Sequence, residues 1–124
     1  MSILLVALIF MSITMGAIAQ ILLKSGMSSP MIQLALRESQ TTDLILNVVS
    51  NLGILGGIVL YAGSMIVWLA VLSKIEVTQA YPFVGLGFLI TMAFGYFYLG
   101  EAVNLIRVLG TVLVASGVVL VANS

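Results

Sequence analysis

Ser12, Gly16, Gln20 and Lys24 follow one another at intervals of four in an otherwise apolar stretch. On an α-helix this spacing sets them along one stripe. A hydroxyl, an amide and an ammonium in that order can line the wall of a groove for a polar head group, with a cation at its mouth. The same stripe also suits close helix packing, with Gln bonding across to a neighbour. Tyr61, Ser64 and Trp68 share much of another helical face, which begins with the small pair Gly53 and Gly57. Gln79-Ala80-Tyr81-Pro82 opens a third apolar stretch that also holds Gly85, Gly87 and Gly95. Pro82 falls in a first turn, where its missing N–H costs little. The Gly-x-Gly pair after it permits either a bend suited to alternating access or a close helix contact. Arg107 opens the last apolar stretch, and Gly110 and Gly117 lie seven residues apart within it. Two turns of spacing put those glycines on one stripe that can dock another helix, including one from a second copy.

These groups do not form a catalytic set. The chain has no histidine and no cysteine, which leaves no disulfide framework and no zinc, haem or iron–sulfur site built on those residues. The usual general base near neutral pH is absent too. No HExxH, no phosphate-cradling loop and no paired carboxylates occur within one helix. Glu38 and Asp43 lie in a polar stretch and read as solvated. The sequence predicts no enzyme, no cofactor and no metal. Four Lys/Arg balance four Asp/Glu, so no net field draws nucleic acid.

The elements that must carry these residues follow from composition. Of 124 residues, 62% are hydrophobic and 6% charged, too few charges to cover a soluble surface. About 20 apolar residues are needed to cross the hydrocarbon core as a helix. Four stretches satisfy that length, near residues 3–23, 52–72, 78–99 and 105–121. The expected fold is all-α, a bundle of four transmembrane helices forming one membrane domain. All the charges then lie outside the spans or at their ends, as insertion costs demand. Ala17-Ile18-Ala19 has the form of a signal cleavage site, but the apolar run is longer than a signal core and reads as a span. Ser25-Gly26 and Ser28-Ser29-Pro30 are expected to break the first helix. In the connection of residues 25–51, the short apolar run Met31 to Leu36 reads as a brief interfacial helix. Ser39 to Asp43 reads as loop, and the second helix as starting between Leu44 and Leu52. Lys24, Arg37 and Arg107 share one side of the membrane and Lys74 the other. The positive-inside rule then leaves both termini outside the cytoplasm, on a bias small enough to permit either orientation.

Three segments together carry a resemblance. They are Ala17-Ile18-Ala19-Gln20-Ile21-Leu22-Leu23-Lys24, the run Val67-Trp68-Leu69-Ala70-Val71-Leu72 continued by Val77-Thr78-Gln79-Ala80-Tyr81-Pro82, and Leu99-Gly100-Glu101. In this order the chain resembles the drug/metabolite transporter superfamily in its small four-helix form. One branch is the small multidrug resistance family, whose fourth-helix dimer stripe has the spacing of Gly110 to Gly117. The other comprises flippase subunits for aminoarabinose-phosphoundecaprenol, whose first helix places Gln four residues before a basic residue, as Gln20 and Lys24 stand here. The resemblance covers nearly the whole chain except Met27 to Asn51, a connection longer than in typical drug exporters. The drug-exporting branch carries a membrane-embedded Glu, whose position falls at Gly16 here. A hydrophobic cation would find no counter-charge in this first helix.

The resemblance implies an inner-membrane, multi-pass transporter that moves a polyprenyl-phosphate-linked sugar, or a similar amphipathic lipid, between leaflets. Ser12, Gly16, Gln20, Tyr61, Trp68, Tyr81 and Pro82 are the expected substrate-binding residues, with Lys24 and Arg107 at the mouth. For both cations, snorkelling to the interface is the competing role. Four helices at 8–10 Å leave little central volume. A dimer with itself or with a similar subunit is therefore expected, through Gly110 and Gly117. A small multidrug or metabolite exporter and a non-transporting accessory subunit of a membrane complex stand as alternatives.

Overall fold

The computed structural model describes residues 2–124. Helix α1 spans Ile3–Met27, α2 Pro30–Arg37, α3 Thr41–Ser50 and α4 Leu52–Leu72. After a short turn, α5 (Val77–Ala80), a 3₁₀ segment (Tyr81–Gly85) and α6 (Leu86–Phe97) run on as one rod, and α7 covers Leu105–Ala122. The fold is all-helical among the described residues. Four of its helical rods are long and apolar enough to cross a membrane: Ile3–Met27, Leu52–Leu72, Val77–Phe97 and Leu105–Ala122.

The starts of α1, α2, α4 and α7 are capped by side chains, which satisfy backbone N–H groups left without a partner in the helix. Ser2 Oγ accepts from the Leu5 N–H, and Ser29 Oγ from that of Ile32, with Pro30 in the first turn of α2. The Asn51 and Asn104 side chains do the same for α4 and α7. Gly100 turns the chain between α6 and α7 at φ +70°, a left-handed conformation open to glycine at no steric cost.

Helices α1 and α4 pack most extensively, and glycine explains why. A Cβ at Gly57 would stand 2.8 Å from Leu23 Cγ and 3.1 Å from the Ala19 carbonyl. At Gly53 it would stand 3.3 Å from Gly26 Cα and from the Leu22 carbonyl. The small pair is therefore a packing device, drawing the two backbones together. The core gathers Leu5, Ile9 and Ile13 with Val71, Ala80, Phe83 and Val118. Only Val118 of α7 is buried, so α7 leans on the rest through a narrow seam.

Three local expectations need correction. Helix α1 does not break at Ser25-Gly26 but runs through Met27, and buried Gly26 is a close-approach point there, its carbonyl accepting from Asn51 Nδ2 at 3.3 Å. The connection of residues 25–51 is mostly helical, and Thr41 to Asp43 belong to α3 rather than to a loop. Asp43 in that first turn favours the helix by facing its positive end. The third rod starts at Val77, so Pro82 lies beyond its first turn, and a 3₁₀ segment accommodates a proline that cannot donate in an α-helical ladder. Gly85 makes a close helix contact, since a Cβ there would stand 2.6 Å from Val114 Cγ1 of α7.

Candidate functional site

A cavity of about 640 Å³ lies between α1, α4 and the third rod. Helix α1 forms its floor with Ser12, Ile13, Gly16 and Ala17. Tyr61, Ser64, Met65 and Trp68 form the α4 wall, and Tyr81, Val84, Gly87, Phe88 and Thr91 the opposite one. Gln20 continues the floor one turn beyond Gly16. Ser12, Ile13 and Ala17 are buried and Gly16 half-buried, whereas Gln20, Tyr61 and Tyr81 are exposed at the rim.

Two hydroxyls of the floor and wall are already engaged. Ser12 Oγ donates to the Ser64 carbonyl at 2.9 Å, and Ser64 Oγ donates to the Tyr61 carbonyl at 2.7 Å. The first ties α1 to α4, the second stays within α4, and both leave a hydroxyl oxygen in the cavity lining. Thr91 Oγ1 likewise donates to the Phe88 carbonyl at 3.2 Å. The longer polar groups, the Gln20 amide and the phenols of Tyr61 and Tyr81, are the ones able to reach a guest. Ser12 and Gln20 are eight residues apart, about 12 Å along the helix. Polar groups thus recur along the length of the cavity rather than at one point. No charged side chain lines it. Among the described residues no group of three or more His, Cys, Asp or Glu side chains lies together to hold a metal ion.

Of the residues singled out by sequence, Ser12, Gly16, Gln20, Tyr61, Trp68 and Tyr81 come together around this cavity. Lys24, Pro82 and Arg107 do not line it. Lys24 is exposed one turn beyond Gln20, and Pro82 is half-buried in the 3₁₀ segment. Arg107 lines a separate hollow between α6 and α7. Gly110 lines that hollow as well and Gly117 does not, and nothing lies within 4 Å of a Cβ added at either. Thr91 and Phe88 went unread in the sequence. A lone hydroxyl amid Leu89, Ile90 and Met92 was the available signal for Thr91, since polar groups inside a span tend to face the bundle. Phe88 gave none, being one apolar residue among many.

Over 63 residues, 51% of its length, the chain is 32% identical to the probable 4-amino-4-deoxy-L-arabinose-phosphoundecaprenol flippase subunit ArnE of Hamiltonella defensa subsp. Acyrthosiphon pisum (strain 5AT). The match spans 57% of that relative's length. No family model matches the chain. No solved structure matches it.

Proposed function

We propose that this chain is a subunit of an inner-membrane transporter that moves a polyprenyl-phosphate-linked sugar between leaflets. The observation that carries the reading is the cavity's lining: amide, phenol, indole and hydroxyl groups set among apolar side chains, with no charge. Such a lining suits a sugar, whose hydroxyls exchange hydrogen bonds and whose apolar faces lie against aromatic rings. The polyprenyl tail stays in the bilayer, so only the head group needs a polar route. Buried polar groups left unpaired cost several kcal/mol, and the recurring partners along α1 and α4 lower that cost step by step. Lys24, one turn past Gln20, is positioned to meet the lipid phosphate near the interface. The partial similarity to a flippase subunit supports the same substrate class.

A hydrophobic cation finds no carboxylate in this cavity, which disfavours a proton-coupled drug exporter. The cavity is open at its rim, and α7 is bare at Gly117, beyond the hollow that Gly110 lines. Both features fit a second four-helix unit, either another copy or a similar subunit, completing the path. Native mass spectrometry of the gently extracted protein tests the reading. The expected species is a dimer carrying a polyprenyl-phosphate lipid. A monomer that binds only bulk phospholipid would overturn it.

A further inference from the structure

The second hollow, of about 510 Å³, lies between α6 and α7 and shares only Phe88 and Thr91 with the lining of the first. It differs in chemistry, because both a carboxylate and a guanidinium line it, from Glu101 and Arg107. Both belong to the turn end of the hollow. Phe88 and Val114 line it further along the two helices. One end is thus ionic and the remainder apolar.

Both charges sit against backbone, and that of Arg107 is hydrogen-bonded to it. The Glu101 carboxylate lies over buried Gly95, where an added Cβ would stand 2.7 Å from its Oε1. The Glu101 N–H also donates to the Gly95 carbonyl at 2.9 Å. Arg107 Nη1 donates to the Ala102 carbonyl at 2.8 Å, which leaves the other guanidinium N–H groups for an anion. Thr111 adds a hydroxyl one turn deeper. A guanidinium suits a phosphate through parallel hydrogen bonds, and a carboxylate accepts from an ammonium.

We propose that the α6–α7 hollow holds a lipid whose head group joins a phosphate to a primary ammonium, with phosphate on Arg107, ammonium on Glu101 and a chain along Phe88 and Val114. Bilayer aminophospholipids and amino-sugar phosphate lipids share this chemistry. The hollow lies outside the uncharged central cavity, beside a helix with a single buried residue, and so is assigned to the bilayer aminophospholipid. This site is separate from the transport reading and does not depend on it.

The test is native mass spectrometry of the protein released from nanodiscs containing equal phosphatidylethanolamine and phosphatidylglycerol. The wild type should retain phosphatidylethanolamine preferentially. Glu101→Gln and Arg107→Gln should each lower that preference about tenfold. Gly95→Ala, which displaces the flexible carboxylate while leaving both charges in the chain, should lower it as well. Equal retention of the two lipids, or a preference that survives all three substitutions, would overturn the proposal. Retention of an added amino-sugar phosphate lipid in place of phosphatidylethanolamine would overturn the assignment to the bilayer lipid and move the hollow onto the cargo's path.

Discussion

Ser12 Oγ donates to the backbone carbonyl of Ser64 at 2.9 Å, joining two helices across 52 positions of sequence at the floor of the central cavity. The Ser64 carbonyl also sits within the α4 ladder, so the bond is an extra one made between helices. Interhelical hydrogen bonds of this kind in membranes average about 0.6 kcal/mol. Ser12→Ala should therefore lower the stability of the extracted protein only slightly, measured as a thermal shift of a few degrees. Complete loss of folded protein would mean that the tie carries far more of the α1–α4 contact than its geometry implies.

The α1–α4 seam itself should be much less forgiving. A Cβ at Gly57 meets Leu23 at 2.8 Å, whereas at Gly56 the nearest atom, Leu22 Cδ1, is 4.0 Å away. Gly57→Leu should cost about 1–3 kcal/mol through overpacking, and Gly56→Leu close to nothing. Thermal unfolding in detergent of the two variants side by side checks the contrast, which vanishes if the glycines serve no packing role.

The α7 stripe offers a different contrast. Gly110 and Gly117 meet nothing within the chain, so Gly110→Ile with Gly117→Ile should leave the fold unchanged. If α7 mates with a second unit, the crosslinked dimer fraction in membranes should fall. An unchanged dimer fraction assigns association to another face.

These contrasts show what the sequence could and could not reveal. The four spans were legible because hydrocarbon imposes length and apolarity, and the row from Ser12 to Gln20 because polar groups stand out in such a stretch. Tyr61 and Trp68 were visible for the same reason. The course of α1 through Gly26 was not, since a glycine that breaks a helix in water can instead admit a neighbour, and the neighbour at Asn51 lies 25 residues away. Arg107 looked like a cation at the mouth of the same groove as Lys24. Its side chain instead belongs to the hollow beyond α6, a partition that depends on helix rotation and that spacing alone does not encode. That Glu101 and Arg107 line one hollow was hidden for the same reason, as was the bare backbone of Gly95 beneath the Glu101 carboxylate.

Gly16 tests the selectivity of the cavity. An added Cβ there meets only Ser64 Oγ, at an ordinary 3.8 Å, and a longer side chain can extend into the cavity. Gly16→Glu should fold and place a counter-charge where the wild type has none. Hydrophobic dye cations, which the wild type should not bind, should then bind measurably by fluorescence titration. Equal dye binding by both proteins would show that the uncharged lining does not set the substrate class.

The central claim is that the head group of a lipid-linked sugar passes along Gln20 and Tyr81. Its most direct test is the flux of a labelled polyprenyl-phosphate sugar across membrane vesicles bearing the protein with any subunit that copurifies. Gln20→Leu and Tyr81→Phe remove one polar partner each at the exposed rim, where neither change disturbs the core. Each lost hydrogen bond is worth about 0.5–1.5 kcal/mol, so each variant should slow flux severalfold at unchanged protein level. Normal flux in both variants would contradict the account and reduce the polar row to a packing surface.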